Sequence, residues 1–340
     1  MKYEEVILFG TGALLPPALE FLNKKEIKVK FLTDNNKEIQ NKYKENILII
    51  APEDIVQYNL PVLIISMYSK DIALQLINLG VKEFQDFSFV FDYARWNGHF
   101  DKEKIKNSQV EINNFIELLE DNESKNIIKS LLKYRQTLNP SVINNAHFDD
   151  YFHPLVSPIK GDVILDGGAW HGDSSLDFSK KLNDNCTIYA FEPEEENFVE
   201  LKKNISLNNC DNIIPVLYGL SDKKDVVYFE TSNDFDMQHK VTDKPTDKKI
   251  EVISIDEFKK NNNIKKIDFI KMDIEGSEYK ALLGAKEVLQ TDKPKLAICT
   301  YHLYDDLWTI PLLIKKINKD YKLYVGHHSQ NIFETVIYAI

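Results

Sequence analysis

A glycine-rich turn between an apolar run and a helical segment is the part of this 340-residue sequence best suited to binding a ligand. Apolar residues 163–165 lead into Asp166 and Gly168, and the turn ends at Gly172. A strand, a tight glycine loop and a helix N-terminus are what α/β proteins use to hold a nucleotide. A β-rich run ends 20 residues later at Glu192, where a carboxylate would bind a ribose. Dehydrogenases, S-adenosylmethionine (SAM) methyltransferases and purely structural crossovers all share this pattern.

A second group of acidic residues follows another predicted strand. Asp273, Glu275 and Glu278 surround Gly276 directly after the β-rich run 267–272. Ligands of open α/β sheets bind at the carboxyl edge of the strands, so we predict a functional role for Asp273. Helix capping is the alternative, and it explains Glu278 better than Asp273 because helix N-termini favour acidic residues.

A histidine follows the next predicted strand at the same sheet edge. His302 is therefore the first candidate for a general base, and a structural histidine bonded to a backbone carbonyl is the alternative. Asp305 and Asp306 could join Asp273 as oxygen ligands of Mg²⁺. We favour helix capping for this pair and predict no metal site, because adjacent aspartates often precede a helix.

Strands alternating with helices predict an α/β fold with parallel sheets. Residues 1–92 are predicted to form a small Rossmann-like domain. Its Gly10–Thr11–Gly12 loop lacks a third glycine, so we interpret it as a degenerate structural module, with binding of a nucleotide-linked sugar as the second interpretation. Residues 93–150 are predicted to be a helical linker of two helices, which would bridge domains, form a lid or form a dimer surface.

Residues 151–340 are predicted to form a second α/β domain. Its last two strands have no helix between them, which requires an antiparallel pair. A class I, Rossmann-like methyltransferase ends with such an antiparallel strand, whereas a dinucleotide-binding domain continues in parallel units. The polar segment 231–248 is predicted to be a loop.

Composition limits the classes of partner. The net charge of −11 argues against a nucleic-acid binder, because there is no basic field to recruit a polyanion. Apolar runs stay short of the about 20 residues that span a bilayer, and the first residues do not look like a signal peptide. Three cysteines at unrelated spacings suit a reducing cytoplasm. The abundance of Lys and Asn is associated with AT-rich bacterial genomes.

Several motifs together resemble the FkbM family of SAM-dependent methyltransferases over residues 151–340. These motifs are Asp166 to Gly172, Phe191-Glu192-Pro193, Gly219-Leu220-Ser221-Asp222, Asp268 to Glu278, Tyr301-His302, Asp306-Leu307-Trp308 and Glu334-Thr335-Val336. The family commonly methylates hydroxyl oxygens of sugars, polyketides or other small metabolites. The resemblance implies an O-methyltransferase acting on a carbohydrate, such as a surface-polysaccharide or nucleotide-sugar precursor, or on a similar polar metabolite. The first 100 residues resemble Rossmann-like modules found beside enzymes of nucleotide sugars and surface polysaccharides.

The resemblance also implies roles for single residues around SAM. Asp166, Gly168 and Gly172 would form the loop around its methionine part. Glu192 would accept hydrogen bonds from both ribose hydroxyls, because a carboxylate offers two acceptor oxygens. Ser221 and Asp222 would contact the adenine.

Two residues are implied at the reaction centre. Asp273 would lie beside the methionine amine and the transferred methyl group, and His302 would be the base. Trp170 and His171 replace the small residues expected in the glycine loop, and their role stays open between cofactor, acceptor and neither.

Two other functions remain in view. An NAD-dependent nucleotide-sugar oxidoreductase would suit two Rossmann-like units, but each half lacks a clean Gly-x-Gly-x-x-Gly motif. A non-catalytic binding module of a glycan assembly pathway would have an inactive methyltransferase fold. A small carbohydrate is the expected partner, and a homodimer is also considered.

Overall fold

The computed structural model of the chain describes residues 3–230, 240–242 and 248–340. Most of the polar segment 231–248, which we predicted to be a loop, lies outside the described residues. The part of it that is described belongs to strands.

The described residues form strands and helices in alternation along much of the chain. The strands are β1 (Glu5–Phe9), β2 (Lys28–Thr33), β3 (Tyr43–Lys44), β4 (Ile47–Ile50), β5 (Val62–Ile64), β6 (Phe84–Asp86), β7 (Val163–Gly167), β8 (Thr187–Phe191), β9 (Ile213–Val216), β10 (Gly219–Leu220), β11 (Asp225–Glu230), β12 (Lys240–Thr242), β13 (Lys248–Ile253), β14 (Phe269–Met272), β15 (Lys295–Cys299), β16 (Leu323–His327) and β17 (Thr335–Ala339). The α-helices are α1 (Leu15–Lys24), α2 (Ser69–Asn78), α3 (Tyr93–Trp96), α4 (Lys102–Asn107), α5 (Gln109–Glu117), α6 (Asn122–Thr137), α7 (Asp173–Leu182), α8 (Glu195–Leu207), α9 (Ile255–Asn261), α10 (Glu278–Leu283), α11 (Lys286–Thr291) and α12 (Asp306–Ile317). Short 3-10 helices span Pro52–Gln57, Ser88–Asp92, Asn97–Phe100 and Pro140–Val142.

The chain divides into two compact units, and each is assembled from separate segments. The first unit comprises residues 1–109, 126–145 and 329–333, and the second comprises residues 110–125, 146–328 and 334–340. Residues 93–150 contain four α-helices, α3 to α6, where we predicted two. The division into 1–92, 93–150 and 151–340 stays a sequence-based prediction.

The first unit is built on a six-stranded sheet in the order β3-β4-β2-β1-β5-β6. Its strands pair in parallel, except for the antiparallel pair β3 and β4. Continuous apolar runs in β1 and β5 are buried, as expected for central strands covered on both faces. Ile7, Val62 and Leu76 are members of the resulting core.

The distant segment Ser329–Phe333 completes the first unit. The Ser69 hydroxyl donates a hydrogen bond to the carbonyl of Gln330 over 2.8 Å. The Phe333 ring lies edge-on to the buried Trp96 ring, with 4.9 Å between centroids. This pairing gives an irregular segment a fixed place in an apolar core.

The second unit is built on a seven-stranded sheet in the order β16-β17-β15-β14-β7-β8-β9. Strands β14, β15, β7, β8 and β9 pair in parallel, whereas β17 is antiparallel to both β15 and β16. The predicted α/β class with an antiparallel last strand is therefore confirmed. A smaller sheet in the order β10-β13-β11-β12 lies in the same unit.

Two helices, α10 and α11, follow Asp273 and are separated at Gly284. A Cβ at Gly284 would stand 2.1 Å from the carbonyl oxygen of Ser221. The backbones therefore approach so closely that only glycine fits there. Among the described residues, we find no helix of the length and apolar character needed to cross a membrane.

Candidate functional site

Three neighbouring strands of the second unit end level with one another. In the sheet register, Gly167 of β7 pairs with both Phe191 of β8 and Met272 of β14. The next residues along these strands, Gly168, Glu192 and Asp273, therefore meet at one edge. These are three of the residues predicted to bind the cofactor.

Gly168 allows the first of these loops to pack directly on the third. Its φ is +73°, and a Cβ would stand 1.8 Å from the carbonyl oxygen of Asp273. Both the backbone conformation and the space require glycine. The position of Asp273 is thus coupled to the shape of the glycine loop.

Asp166 lies beneath this loop and is fully buried. Its carboxylate accepts hydrogen bonds of 2.6 Å from the hydroxyls of Ser174 and Ser175, in helix α7, and pairs with Lys271 at 3.0 Å. Lys271 also donates to the carbonyls of Gly167 and Gly168. Burial alone would lower the pKa of Lys271, but neighbouring carboxylates outweigh it and raise that pKa. Asp166 therefore connects helix α7 directly, and the glycine loop through Lys271, to the end of strand β7.

Glu192 presents its carboxylate to a cavity above the sheet edge. One oxygen accepts the backbone N–H of Trp170 at 3.0 Å, and the other accepts that of Glu194 at 2.9 Å. Burial raises the pKa of Glu192 to about 7, although these hydrogen bonds oppose the shift. The orientation of the carboxylate is set by backbone donors on both sides.

The first cavity has a volume of about 340 Å³ and joins all three strand ends. It is lined by Gly168, Trp170, Phe191, Glu192, Pro193, Glu194, Asn197, Tyr218, Gly219, Leu220, Ile250, Val252, Asp273, Ile274, Glu275 and Ser277. Its walls are mostly apolar on the side of β10 and β13, and acidic near Asp273. An apolar slot beside a few oriented polar groups is typical of a small-molecule site.

A second cavity of about 510 Å³ shares Gly168, Trp170 and Asp273 with the first. Its other lining residues are Asp149, Asp150, Tyr151, Ala169, Asp173, Ser174, Asp177, Lys181 and Lys271. Burial, together with the charges of Glu334 and Asp273, raises the pKa of Asp150 to about 7. The two cavities thus share part of their lining, and charged side chains are more numerous around the second.

A buried histidine lies next to the first cavity among carboxylates. His302 has no exposed surface, and its Nδ1 is 2.9 Å from Oε1 of Glu278. Its Nε2 is 3.2 Å from Oδ1 of Asp273 and 3.6 Å from Oε2 of Glu275. Oδ1 of Asp273 also accepts the Tyr301 hydroxyl at 3.1 Å.

The charges in this cluster bear on the expected general base. Burial alone would lower the pKa of His302, but the carboxylates of Glu278 and Glu275 raise it well above its usual value. Burial alone would likewise raise the pKa of Asp273, but the charges of His302 and Lys271 hold it below its usual range. This direction of shift disfavours His302 as the general base, because a protonated imidazole accepts no proton from an acceptor hydroxyl.

Two segments of the chain match sequence models of known protein families. Residues 166–321 match the sequence model of the methyltransferase FkbM domain. These residues, 156 of the 340, are similar to FkbM methyltransferases, and we refer to them as the FkbM domain. Residues 2–85 match a second family model, described as C2185-like, N-terminal.

Two relatives extend this identification. The hexuronic acid methyltransferase AglP of Haloferax volcanii is 33% identical over 131 residues, which are 38% of this chain. Those residues cover 52% of AglP, so the match extends over about half the length of this curated relative. The crystal structure of methyltransferase FkbM from Methylobacillus flagellatus KT aligns with 99% of this chain and 90% of its own, with a TM-score of 0.76 and 20% identity. That likeness shows a common fold.

The FkbM domain brings some of the predicted site residues together and leaves others apart. Gly168, Glu192 and Asp273 line the first cavity. Asp166 lies under the loop, and Gly172 directly precedes helix α7 with a φ of +99°. Ser221 and Asp222 are not among the residues that line either cavity in the described part of the chain.

Tyr218 and Asn197 line the first cavity of the FkbM domain, and sequence reasoning missed both. Tyr218 comes shortly after β9, the third strand of the second unit, and directly before the Gly219-Leu220-Ser221-Asp222 motif. Its place after a strand end could therefore have indicated that it lines the cavity. Asn197 lies in helix α8, and its side chain contacts His171 Nε2 at 3.2 Å. His171 in turn stacks on Trp170, with ring centroids 4.0 Å apart.

Helix capping does not explain Glu278 in the FkbM domain. Glu278 is the first residue of α10, yet its carboxylate is buried and accepts the N–H of Ile274 at 2.8 Å. Asp306 accepts the N–H of Leu303 at 2.7 Å, and it is also buried. Both acids thus fix loops that carry the cavity wall and His302.

Proposed function

We propose that the chain transfers a methyl group from SAM to a hydroxyl oxygen of a carbohydrate or a similar small polar metabolite. The observation that carries this proposal is the pair of cavities that meet at Gly168, Trp170 and Asp273, with Glu192 facing the first cavity. The FkbM domain supports the methyltransferase class. SAM as the donor and oxygen as the acceptor atom are our proposals.

The adenosine part of SAM suits the first cavity. Both carboxylate oxygens of Glu192 would accept hydrogen bonds from the ribose hydroxyls. Tyr218, Leu220 and Ile250 would contact the adenine, in place of Ser221 and Asp222. The apolar wall would bury the ring, and Glu192 would orient the sugar.

The methionine part of SAM suits the second cavity. Its ammonium group would lie near the carboxylates of Asp150 and Asp273, and its carboxylate near Ser174 and Lys181. SAM would then bend over Gly168, whose missing side chain lets the ligand approach the backbone. Its sulfonium would lie where the two cavities meet.

Methyl transfer requires alignment more than covalent help. The acceptor oxygen attacks the methyl carbon, the O–CH₃ bond forms, and the C–S bond breaks to release neutral S-adenosylhomocysteine. Asp273 would receive the hydroxyl proton, because the oxygen becomes strongly acidic as it is methylated. We propose His302 as a positioning residue that holds Asp273.

A carbohydrate acceptor is supported by the relation to AglP, which is named a hexuronic acid methyltransferase. The net charge of −11 supports a small-molecule acceptor over nucleic acid. We also propose a cytoplasmic location, in keeping with free Cys186, Cys210 and Cys299.

Calorimetry of the purified chain with SAM and with S-adenosylhomocysteine tests the donor. We expect both to bind, and we expect Glu192→Ala to weaken binding by about 1–3 kcal/mol, since it removes hydrogen bonds to a charged acceptor. Glu196→Ala, an exposed neighbour on helix α8, is the matched control and should bind normally.

The outcomes separate the candidate functions. Binding of NAD(H) in place of SAM would favour the oxidoreductase. If the chain binds SAM but transfers no label from methyl-labelled SAM to a panel of sugars and cell-extract glycans, a non-catalytic binding module replaces the enzyme.

A further inference from the structure

The cluster of His302 with Asp273, Glu275 and Glu278 includes two carboxylates, Glu275 and Glu278, that have no part in the proposed methyl transfer. We propose that His302, Asp273 and Glu275 bind one divalent transition-metal cation. This ion would lie at the acidic end of the first cavity. Its role toward the acceptor rests on the proposed function, whereas cation binding itself is tested separately.

The distances within the cluster fit ligands of a shared ion. Ligand atoms about 2.0–2.2 Å from a tetrahedral or octahedral ion stand about 2.9–3.6 Å apart. His302 Nε2 lies 3.2 Å from Asp273 Oδ1 and 3.6 Å from Glu275 Oε2. Asp273, Glu278 and His302 also offer ligand atoms that all lie within 4.8 Å of one another. His302 Nε2 thus lies at a ligand-to-ligand distance from a carboxylate oxygen of each of the other two proposed ligands.

Buried polar atoms without a well-directed hydrogen bond also point to a ligand. Both ring nitrogens of His302 and Oε2 of Glu278 are buried, and none of them makes a well-directed hydrogen bond within the described part of the chain. The nitrogens do lie within 3.2 Å of carboxylate oxygens of Asp273 and Glu278. Both residues have a side chain with no exposed surface. Buried polar atoms without a well-directed hydrogen bond are costly, and coordination to a cation would give Nε2 a well-directed partner in place of its ion pairs.

The balance of charge also favours a cation. Three carboxylates lie within 3.6 Å of a single imidazole, so the group is negative even when His302 is protonated. The ammonium group of Lys271 is already paired with Asp166 at 3.0 Å. A divalent ion that replaces the proton on Nε2 neutralises more of this charge.

The donor set indicates the type of ion. One imidazole nitrogen with carboxylate oxygens suits Mn²⁺, Fe²⁺ or Zn²⁺, whereas Ca²⁺ prefers oxygen ligands alone. Glu278 would accept the Nδ1–H of His302 at 2.9 Å, and carboxylates commonly orient metal-bound histidines in this way.

Asp273 and Glu275 line the first cavity, so the ion would face the acceptor. A hydroxyl bound to the ion would lose its proton more readily, because the metal would stabilise the alkoxide. With Asp273 held as a ligand of the ion, this proton would pass to water and not to Asp273. That oxygen would form the bond to the methyl carbon while the C–S bond of SAM breaks. An acceptor with two neighbouring hydroxyls would bind the ion most tightly.

The test uses the full chain, freed of metal with a chelator and titrated with Mn²⁺ at pH 7.5. Electron paramagnetic resonance should report one bound Mn²⁺ per chain, and calorimetry should compare Zn²⁺ and Mg²⁺. We expect Asp273→Asn and Glu275→Gln each to weaken Mn²⁺ binding at least tenfold. Glu278→Gln should weaken it about 10–100-fold through loss of the orienting contact.

Asp305→Asn is the matched control, because this acid is close in sequence and outside the cluster; it should bind Mn²⁺ normally. The proposal is overturned if the chain binds none of the three ions, or if both Asp273→Asn and Glu275→Gln bind as the unaltered chain does. Calorimetry with S-adenosylhomocysteine on the metal-free chain checks folding and the donor site. If the chain binds Mn²⁺ but does not bind S-adenosylhomocysteine, the proposed function is contradicted and the proposed metal site is still supported.

Discussion

At the scale of single residues, the proposed ribose-binding residue Glu192 has a pKa that is raised above that of an ordinary carboxyl group. Its carboxylate is held by the N–H groups of Trp170 and Glu194, and burial raises its pKa to about 7. The ionised form accepts from two ribose hydroxyls, whereas the protonated form has one acceptor oxygen fewer. The state that binds best is therefore the one present above pH 7.

This acidity predicts tighter SAM binding as the pH rises. From pH 6 to pH 8 the ionised fraction of a group with a pKa of about 7 rises about tenfold, and we expect a similar gain in affinity. Calorimetry at several pH values measures it. Asp150 also titrates near pH 7, so Glu192→Gln separates the two and should remove the share due to Glu192. A pH-independent affinity of the unaltered chain would contradict the role.

At the scale of elements, the site depends on how closely two loops approach each other. The turn after β7 passes over the end of β14 at Gly168, where a Cβ would meet the carbonyl oxygen of Asp273. The glycine loop and the acidic strand end therefore pack directly against each other. Both cavities are defined by this contact.

Gly168→Ala should separate the two loops. We expect a loss of about 2 kcal/mol or more in the free energy of unfolding, from the clash and from the positive φ, together with loss of SAM binding. Urea denaturation and calorimetry measure the two effects. Gly12→Ala is the control, because its Cβ would meet no atom within 4 Å, and it should change stability by no more than about 0.5 kcal/mol. Equal stabilities of the two variants would refute the contact argument.

The elements also show what sequence could and could not predict. The class of fold and the antiparallel last strand were predictable, because β17 follows β16 without a helix. The positions of Gly168, Glu192 and Asp273 were predictable because each directly follows an apolar strand. The pairing of Glu278 with His302, and the arrival of Asn197 at the cavity, depend on how helices pack, which leaves no local signature. The break at Gly284 depends on the backbone of Ser221, 63 residues earlier in the chain.

At the scale of the whole molecule, each unit includes segments that are far apart in the sequence. The second unit includes residues 110–125 as well as its sheet. The N–H of Glu120 bonds to the carbonyl of Leu323, and the N–H of Val325 bonds to the Ser124 hydroxyl at 2.9 Å. Strand β16 is thus secured by a segment about 200 residues earlier.

Ser124→Ala tests this connection. The change leaves the buried N–H of Val325 without its acceptor, so we expect a loss of about 1–3 kcal/mol in the free energy of unfolding. Ser206→Ala, on the exposed face of α8, should change it by no more than about 0.5 kcal/mol. Chemical denaturation compares the two, and equal midpoints and slopes would show that the contact contributes nothing.

The return of residues 329–333 to the first unit constrains the order in which the protein matures. Domains usually fold one after another as the ribosome delivers them, beginning at the N-terminus. Here the partner of Trp96, Phe333, is synthesised only after all of residues 146–328. The Trp96 ring can therefore gain this contact only after the sheet strands β7 to β16 of the second unit have been synthesised.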